Sequence, residues 1–346
     1  PFRRCNHMRD LYKPEKSYFA AVGPQRRNVS PGGSRPGRLI LLGITLILLT
    51  LASRLELPHS LRGEMPAQII QAAQEAGRTM EAAIDAIKNA KIDLGVPVMP
   101  GSRGLIGDEY NVLTTTLGSL SAKRSAENPI WAAALVRELW HFGLKKDDVL
   151  ALGMSGSFPG LNIALISAAQ ALGLRVLAVS SVTASSYGAN QQGFTWPEME
   201  LRLARAGILP SVSFGLSLGG SEDSGLDLQP EGRELAEGIA RDSSVALGAR
   251  LLGAAGLEES VEERLALYKE VAKGRRISLY VNIGGTQASM GEGSAVLELS
   301  SGFIEPRAFD LGRNRGVMAR MMEAGVPVLS LLNVRELGLK WGIPVE

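Results

Sequence analysis

The 346-residue chain has one cysteine, Cys5, and three histidines, His7, His59 and His141. A single thiol excludes an intrachain disulfide and any metal site built from several cysteines. No histidine follows His141, so no later serine can join a triad in the hydrolase chain order of serine, acid and histidine. An excess of one charge is also missing. Lys+Arg number 37 and Asp+Glu 35, a formal net charge of +2. That balance is too small to make nucleic acid the main partner. The chain has no Walker A sequence, its glycine loops do not read G-x-G-x-x-G, and no acidic residue ends the strand "RVLAVSS". Nucleotide cofactors of those two kinds therefore have no signature here, and neither a cofactor nor a metal is expected. What is present is a composition 45% hydrophobic and 21% charged, which suits a packed globule.

The amino-terminal part reads differently from the rest. Residues 1–38 are polar and rich in Pro, Gly and Arg, without helical periodicity, and are expected to form a disordered basic tail. The run "LILLGITLILLTLA", Leu39–Ala52, carries no charge. It falls short of the roughly 17–25 residues of a full span. Leu55 and Leu57 can lengthen it, with Arg54 able to snorkel to the interface. Ala52–Ser53–Arg54 makes a poor cleavage site. An uncleaved transmembrane signal anchor over 39–55 is therefore expected. Arg26, Arg27, Arg35 and Arg38 precede it, which puts the tail in the cytoplasm and the remainder outside the membrane. Residues 56–64 read as a linker and 65–346 as an extracytoplasmic domain.

From Met65 the pattern is that of an α/β protein. A long amphipathic helix, "MPAQIIQAAQEAGRTMEAAIDAIKNAKI", precedes a second, "NPIWAAALVRELWHFG", with Pro129 at its start and Gly143 at its end. Strand and helix patterns then alternate. "DVLALGM", "RVLAVSS", "PSVSFGL", "ISLYVNIGG" and "VPVLSLL" read as strands, and helical stretches such as Glu231–Leu252 and Ser260–Lys273 lie between them. This order predicts a mostly parallel, doubly wound sheet with helices on both faces.

In such sheets ligands bind outside the carboxyl ends of the strands. Two loops qualify: "GMSGSFPG", Gly153–Gly160, and "GGTQASMGEG", Gly284–Gly293. The first resembles the nucleophile elbow G-x-S-x-G but ends in Ser157. Three readings stay open for it: Ser155 as a nucleophile, a cradle for an anion, or a plain turn. A nucleophilic Ser155 or Ser157 needs a base, and Asp108, Glu109 or Glu292 would have to serve, because His141 sits in a helix beside Trp140 and Phe142. The cradle reading assigns a carboxylate or phosphate to Gly153, Ser155, Gly156, Ser157, Asn162, Gly284, Gly285, Thr286 and Gln287. In it the N–H groups from Ser157 to Asn162 point into a cleft. Two further polar strings, Gly107–Pro129 and Ser181–Glu198, can complete a pocket. The acidic group Glu222, Asp223 and Asp227 could seat a hard cation but reads first as a solvated loop, and Arg313, Arg315 and Arg320 read as anion-compatible surface charge.

Together, "GLIGDEYNVLTTTLGSLSAKRSAENP", "ALGMSGSFPGLNIA", "SSVTASSYGANQQGFTWPEME" and "YVNIGGTQASMG" resemble the poly-γ-glutamate system protein family. These are membrane proteins associated with making or exporting poly-γ-glutamate. The resemblance covers the chain from about residue 39 onward. It implies poly-γ-glutamate, or its synthase and export proteins, as partners, and it carries no catalytic residue. An accessory binding protein, a hydrolase or transferase of γ-glutamyl or phosphorylated substrates, and a scaffold of the synthase complex are all compatible with it.

Overall fold

The computed structural model describes residues 65–253, 256–292, 301–306 and 316–346. The expected tail, anchor and linker, together with Arg313 and Arg315, lie outside the described residues. Among the described residues no helix is long and apolar enough to cross a membrane.

Helix α1, Ala67–Asp93, leads into α2, Leu120–Ala126, and α3, Ile130–His141. Strand β1, Val149–Met154, then opens the alternating part with α4, Pro159–Ala171, and β2, Arg175–Ser181. Next come α5, Trp196–Arg205, β3, Ser213–Ser217, and α6, Pro230–Leu247. Strand β4, Arg250–Leu251, precedes α7, Leu257–Ala272, and β5, Ile277–Ile283. The chain continues through α8, Gln287–Met290, β6, Gly302–Ile304, α9, Val317–Glu323, β7, Val328–Leu331, and α10, Val334–Trp341.

Among the described residues, seven strands form one sheet in the order β4-β3-β2-β1-β5-β7-β6. All pairs are parallel except β6 with β7. The expected mostly parallel α/β sheet is thus present. All six residues of β1 are buried, as a strand covered on both faces requires. Leu150, Leu152 and Met154 join one core with residues of α1, α3, α4 and α5. Val149 and Ala151 join the other with residues of α7 and α9. Successive side chains of a strand point to opposite faces, so helices cover both. The helix expected to run to Leu252 stops at Leu247, where Gly248 takes φ 66° in the left-handed region. Arg250 and Leu251 then add a short edge strand.

The order places β1 at the point where the winding reverses. From β1 the chain steps outward to β2, β3 and β4, then α7 carries it back to β5 on the other side of β1. A crevice opens at such a switch point, outside the carboxyl ends of the two diverging strands.

Candidate functional site

The two glycine loops meet at this switch point. The Ser155 backbone N–H donates to the Ile283 carbonyl at 3.1 Å. A Cβ on Gly284 would lie 2.9 Å from Ser155 Cβ, and Gly284 holds φ +87°. Only glycine combines that φ with so close an approach.

The two long polar strings pair with each other. Thr115 N–H donates to the Ala184 carbonyl at 3.0 Å and Ser186 N–H to the Thr116 carbonyl at 2.8 Å. Asn190 Nδ2 donates to Thr114 Oγ1 and to the Asp108 carbonyl, both at 2.9 Å. Between these strings and the glycine loops lies a cleft of about 530 Å³, within the ordinary range for small-molecule sites. Residues beyond the carboxyl ends of β1, β2, β3, β5 and β7 all line it, among them Ser155, Thr183, Ser221, Thr286 and Asn333. Twelve lining side chains carry a hydroxyl, while four carry a charge, Lys123, Asp227, Arg335 and Glu346. The surface therefore offers many more hydrogen-bonding groups than charges.

The expected site residues divide into two sets. Ser155, Ser157, Gly285, Thr286 and Gln287 line the cleft. Gly153, Gly156, Asn162 and Gly284 build the wall behind it. A Cβ on Gly153 would stand 2.3 Å from the Tyr280 hydroxyl, and one on Gly156 2.8 Å from the Thr183 carbonyl. Asn162 is fully buried and its Nδ2 donates to the Ser155 carbonyl at 2.9 Å. The N–H groups differ from expectation. Ser157 N–H donates to Ser155 Oγ at 3.0 Å, and Asn162 N–H to the Phe158 carbonyl at 3.1 Å. The loop satisfies these two donors itself, because α4 begins at Pro159 and takes Phe158 as its cap.

The proposed bases are elsewhere. Asp108 accepts from Asn111 Nδ2 at 2.9 Å and Gln191 Nε2 at 2.8 Å, ordering the polar strings outside the cleft lining. Glu109 is exposed, beside the Tyr187 hydroxyl. Glu292 belongs to a shallow acidic depression with Glu222, Glu258, Glu259 and Glu262. His141 packs on Trp140 with ring centroids 4.7 Å apart, and its helix feeds the amino end of β1. Arg320 pairs with Glu262. Asp223, read as part of a solvated acidic loop, is buried against Arg264.

Sequence reasoning overlooked Lys123 as a site residue. It lies on α2, is 3% exposed, and its Nζ sits 2.8 Å from Ser185 Oγ, against the Ser157 carbonyl and 3.8 Å from the centroid of the Phe158 ring. Burial pushes its amine down to about 7. Lys91, whose Nζ donates to the Ile106 carbonyl at 3.1 Å, is held down to about 8, with burial outweighing the nearby Glu127 and Asp108. Both folded-state values lie below that of an exposed lysine. Between about pH 7 and 10.5 the unfolded chain therefore binds more protons, and stability rises with pH. Each lysine adds at most about 1.4 kcal/mol per pH unit within its window. Urea midpoints should accordingly rise from pH 7 to 9.5, and Lys123→Met should flatten that rise. A midpoint falling over the interval contradicts the burial of both amines.

Fold and cleft define a doubly wound α/β protein with a hydroxyl-lined cleft at its topological switch point. Comparison with protein-family profiles, curated proteins and solved structures finds no match to the chain.

Proposed function

We propose that the protein is a membrane-anchored accessory protein of poly-γ-glutamate biosynthesis or export, and that its switch-point cleft holds a carboxylate-bearing segment of that polymer. The cleft carries this reading. It gathers twelve hydroxyl side chains, with the bases Lys123 and Arg335 and the acids Asp227 and Glu346, at the carboxyl ends of five parallel strands, so hydroxyl donors carry most of the contact. A γ-linked glutamate chain presents alternating amide and carboxylate oxygens, which are acceptors for such donors. The anchor part of the proposal rests on the uncharged run Leu39–Ala52 and on Arg26, Arg27, Arg35 and Arg38 shortly before it, which favour a cytoplasmic amino terminus and an external domain. Partners of the same system, the polymer's synthase and exporter, fit that location.

The experiment is deletion of the gene in a polymer-producing cell, followed by measurement of polymer mass and chain length. The proposal expects one of the two to change severalfold and to be restored by the full chain. Unchanged mass and length would remove poly-γ-glutamate from the account. A second reading, acyl-transfer catalysis, is favoured by one observation, the contact between Lys123 and Ser185.

A further inference from the structure

We propose that Ser185 and Lys123 form a nucleophile–base pair for acyl transfer on an amide whose acyl side bears a nearby carboxylate, as a γ-glutamyl bond does. The substrate class rests on the reading above, and the pair rests on geometry and burial. Lys123 Nζ lies 2.8 Å from Ser185 Oγ, inside the hydrogen-bond reach required of a general base. Both residues line the cleft. Nζ also donates to the Ser157 carbonyl and is covered by the Phe158 ring. The carbonyl fixes one N–H of the amine, and the ring shields it from water. The Ser185 N–H donates to Ser157 Oγ at 3.0 Å, which holds the nucleophile's backbone in place. Gly118 keeps the approach open, since a Cβ there would stand 3.1 Å from Ser185 Oγ and 2.7 Å from the Ser186 carbonyl.

Burial supplies the remaining condition. A lysine acts as a base only when neutral, and desolvation brings this amine down to about 7. Pairs of serine and lysine replace the histidine triad in several unrelated hydrolases, which suits a chain with no histidine beyond His141.

The steps balance. Ser185 Oγ attacks the amide carbonyl carbon while its proton moves to Lys123 Nζ. The tetrahedral adduct collapses, the C–N bond breaks, and the leaving amine takes the proton from Nζ. An ester to Ser185 remains. Water, or a second amine, then attacks the ester and gives a proton to Nζ. The C–O bond to Ser185 breaks, and Oγ recovers that proton. With water the net change is amide plus water to carboxylic acid plus amine. With an amine it is exchange of one amide for another.

The test uses the full-length chain purified in detergent, a fluorophosphonate probe, and peptide mapping by mass spectrometry. The proposal expects a single labelled serine, Ser185, at a rate rising with pH through about 7. Ser185→Ala, which removes only the hydroxyl oxygen, should abolish the label. Lys123→Met should slow it by about 10²–10⁴-fold. A parallel binding titration with a γ-linked glutamate oligomer separates the two readings. Binding without labelling overturns the pair and leaves the cleft reading standing. Labelling at Ser185 without binding supports the pair and overturns the assigned ligand class. Labelling elsewhere, or at an unchanged rate in Lys123→Met, also overturns the pair.

Discussion

Asp223→Ala should cost about 3–5 kcal/mol of folding stability, the penalty for leaving one member of a buried ion pair alone. The Asp223 and Arg264 side chains are 3% and 5% exposed. Arg264 Nη1 donates to Asp223 Oδ2 at 2.6 Å and Nη2 to Oδ1 at 3.1 Å. Ser260 and Ser217 hydroxyls complete the carboxylate's shell at 2.6 and 2.9 Å. The pair also holds a turn in an unfavourable shape, since Glu222 and Asp223 take φ 55° and 59° in succession. Non-glycine residues pay about 1–3 kcal/mol each for such backbone. The turn matters to the cleft because Ser221 lines it, and Glu222 N–H donates to Gln287 Oε1 at 2.7 Å. Urea unfolding measures the loss. Asp223→Leu combined with Arg264→Met should recover most of it. A cost below about 1 kcal/mol for Asp223→Ala would show that Arg264 reaches water once its partner is removed.

Gly284→Val should cost about 2–6 kcal/mol and distort the wall behind the cleft. The sum has two parts. A residue with a Cβ at φ +87° carries about 1–3 kcal/mol of backbone strain. Forcing that Cβ to 2.9 Å from Ser155 Cβ adds about 1–3 kcal/mol of overpacking. The β1 and β5 loops would have to part, breaking the Ser155 to Ile283 hydrogen bond. Differential scanning calorimetry should show a lowered Tm. Gly238→Val, in α6 with nothing within 4 Å of its added Cβ, should be neutral or slightly stabilising, by about 0.3 kcal/mol, because valine is a better helix former than glycine. Equal losses at the two glycines would contradict the close approach of the loops.

Much of the sheet is legible in the sequence, because its central strands are apolar without alternation. "VLALGM" and "LYVNI" are buried on both faces, and such runs mark parallel strands between helical segments. Short elements escape. Arg250–Leu251 has both residues exposed and continues a helical pattern, so only the left-handed Gly248 betrays the break. Helix α2 hides inside a polar string, although Ser119 Oγ accepts from Ala122 N–H at 3.3 Å and caps it in the ordinary way.

The site divides along the same line. Glycine loops at strand ends can be found because local pattern and topology agree. Lys123 cannot. Its burial comes from two segments distant in sequence: Ser157 and Phe158 after β1, and Ser185 beyond β2. Nothing within "SAKRSA" distinguishes it from its neighbour Arg124, which is half-buried and donates to the Pro100 carbonyl. Asp223 escaped for the same reason, since its partner Arg264 is 41 residues away.

The central claim is that a γ-linked polyanion occupies the cleft at the switch point of β1 and β5. Hydrogen–deuterium exchange of the full-length chain, with and without a γ-linked glutamate oligomer, tests it most directly. The account predicts slowed exchange in 115–119, 155–158 and 285–287, with no change at the opposite end of the sheet around Asp147, Asp148, Arg275 and Arg276. Protection confined to that opposite end, or none at saturating oligomer, would contradict it.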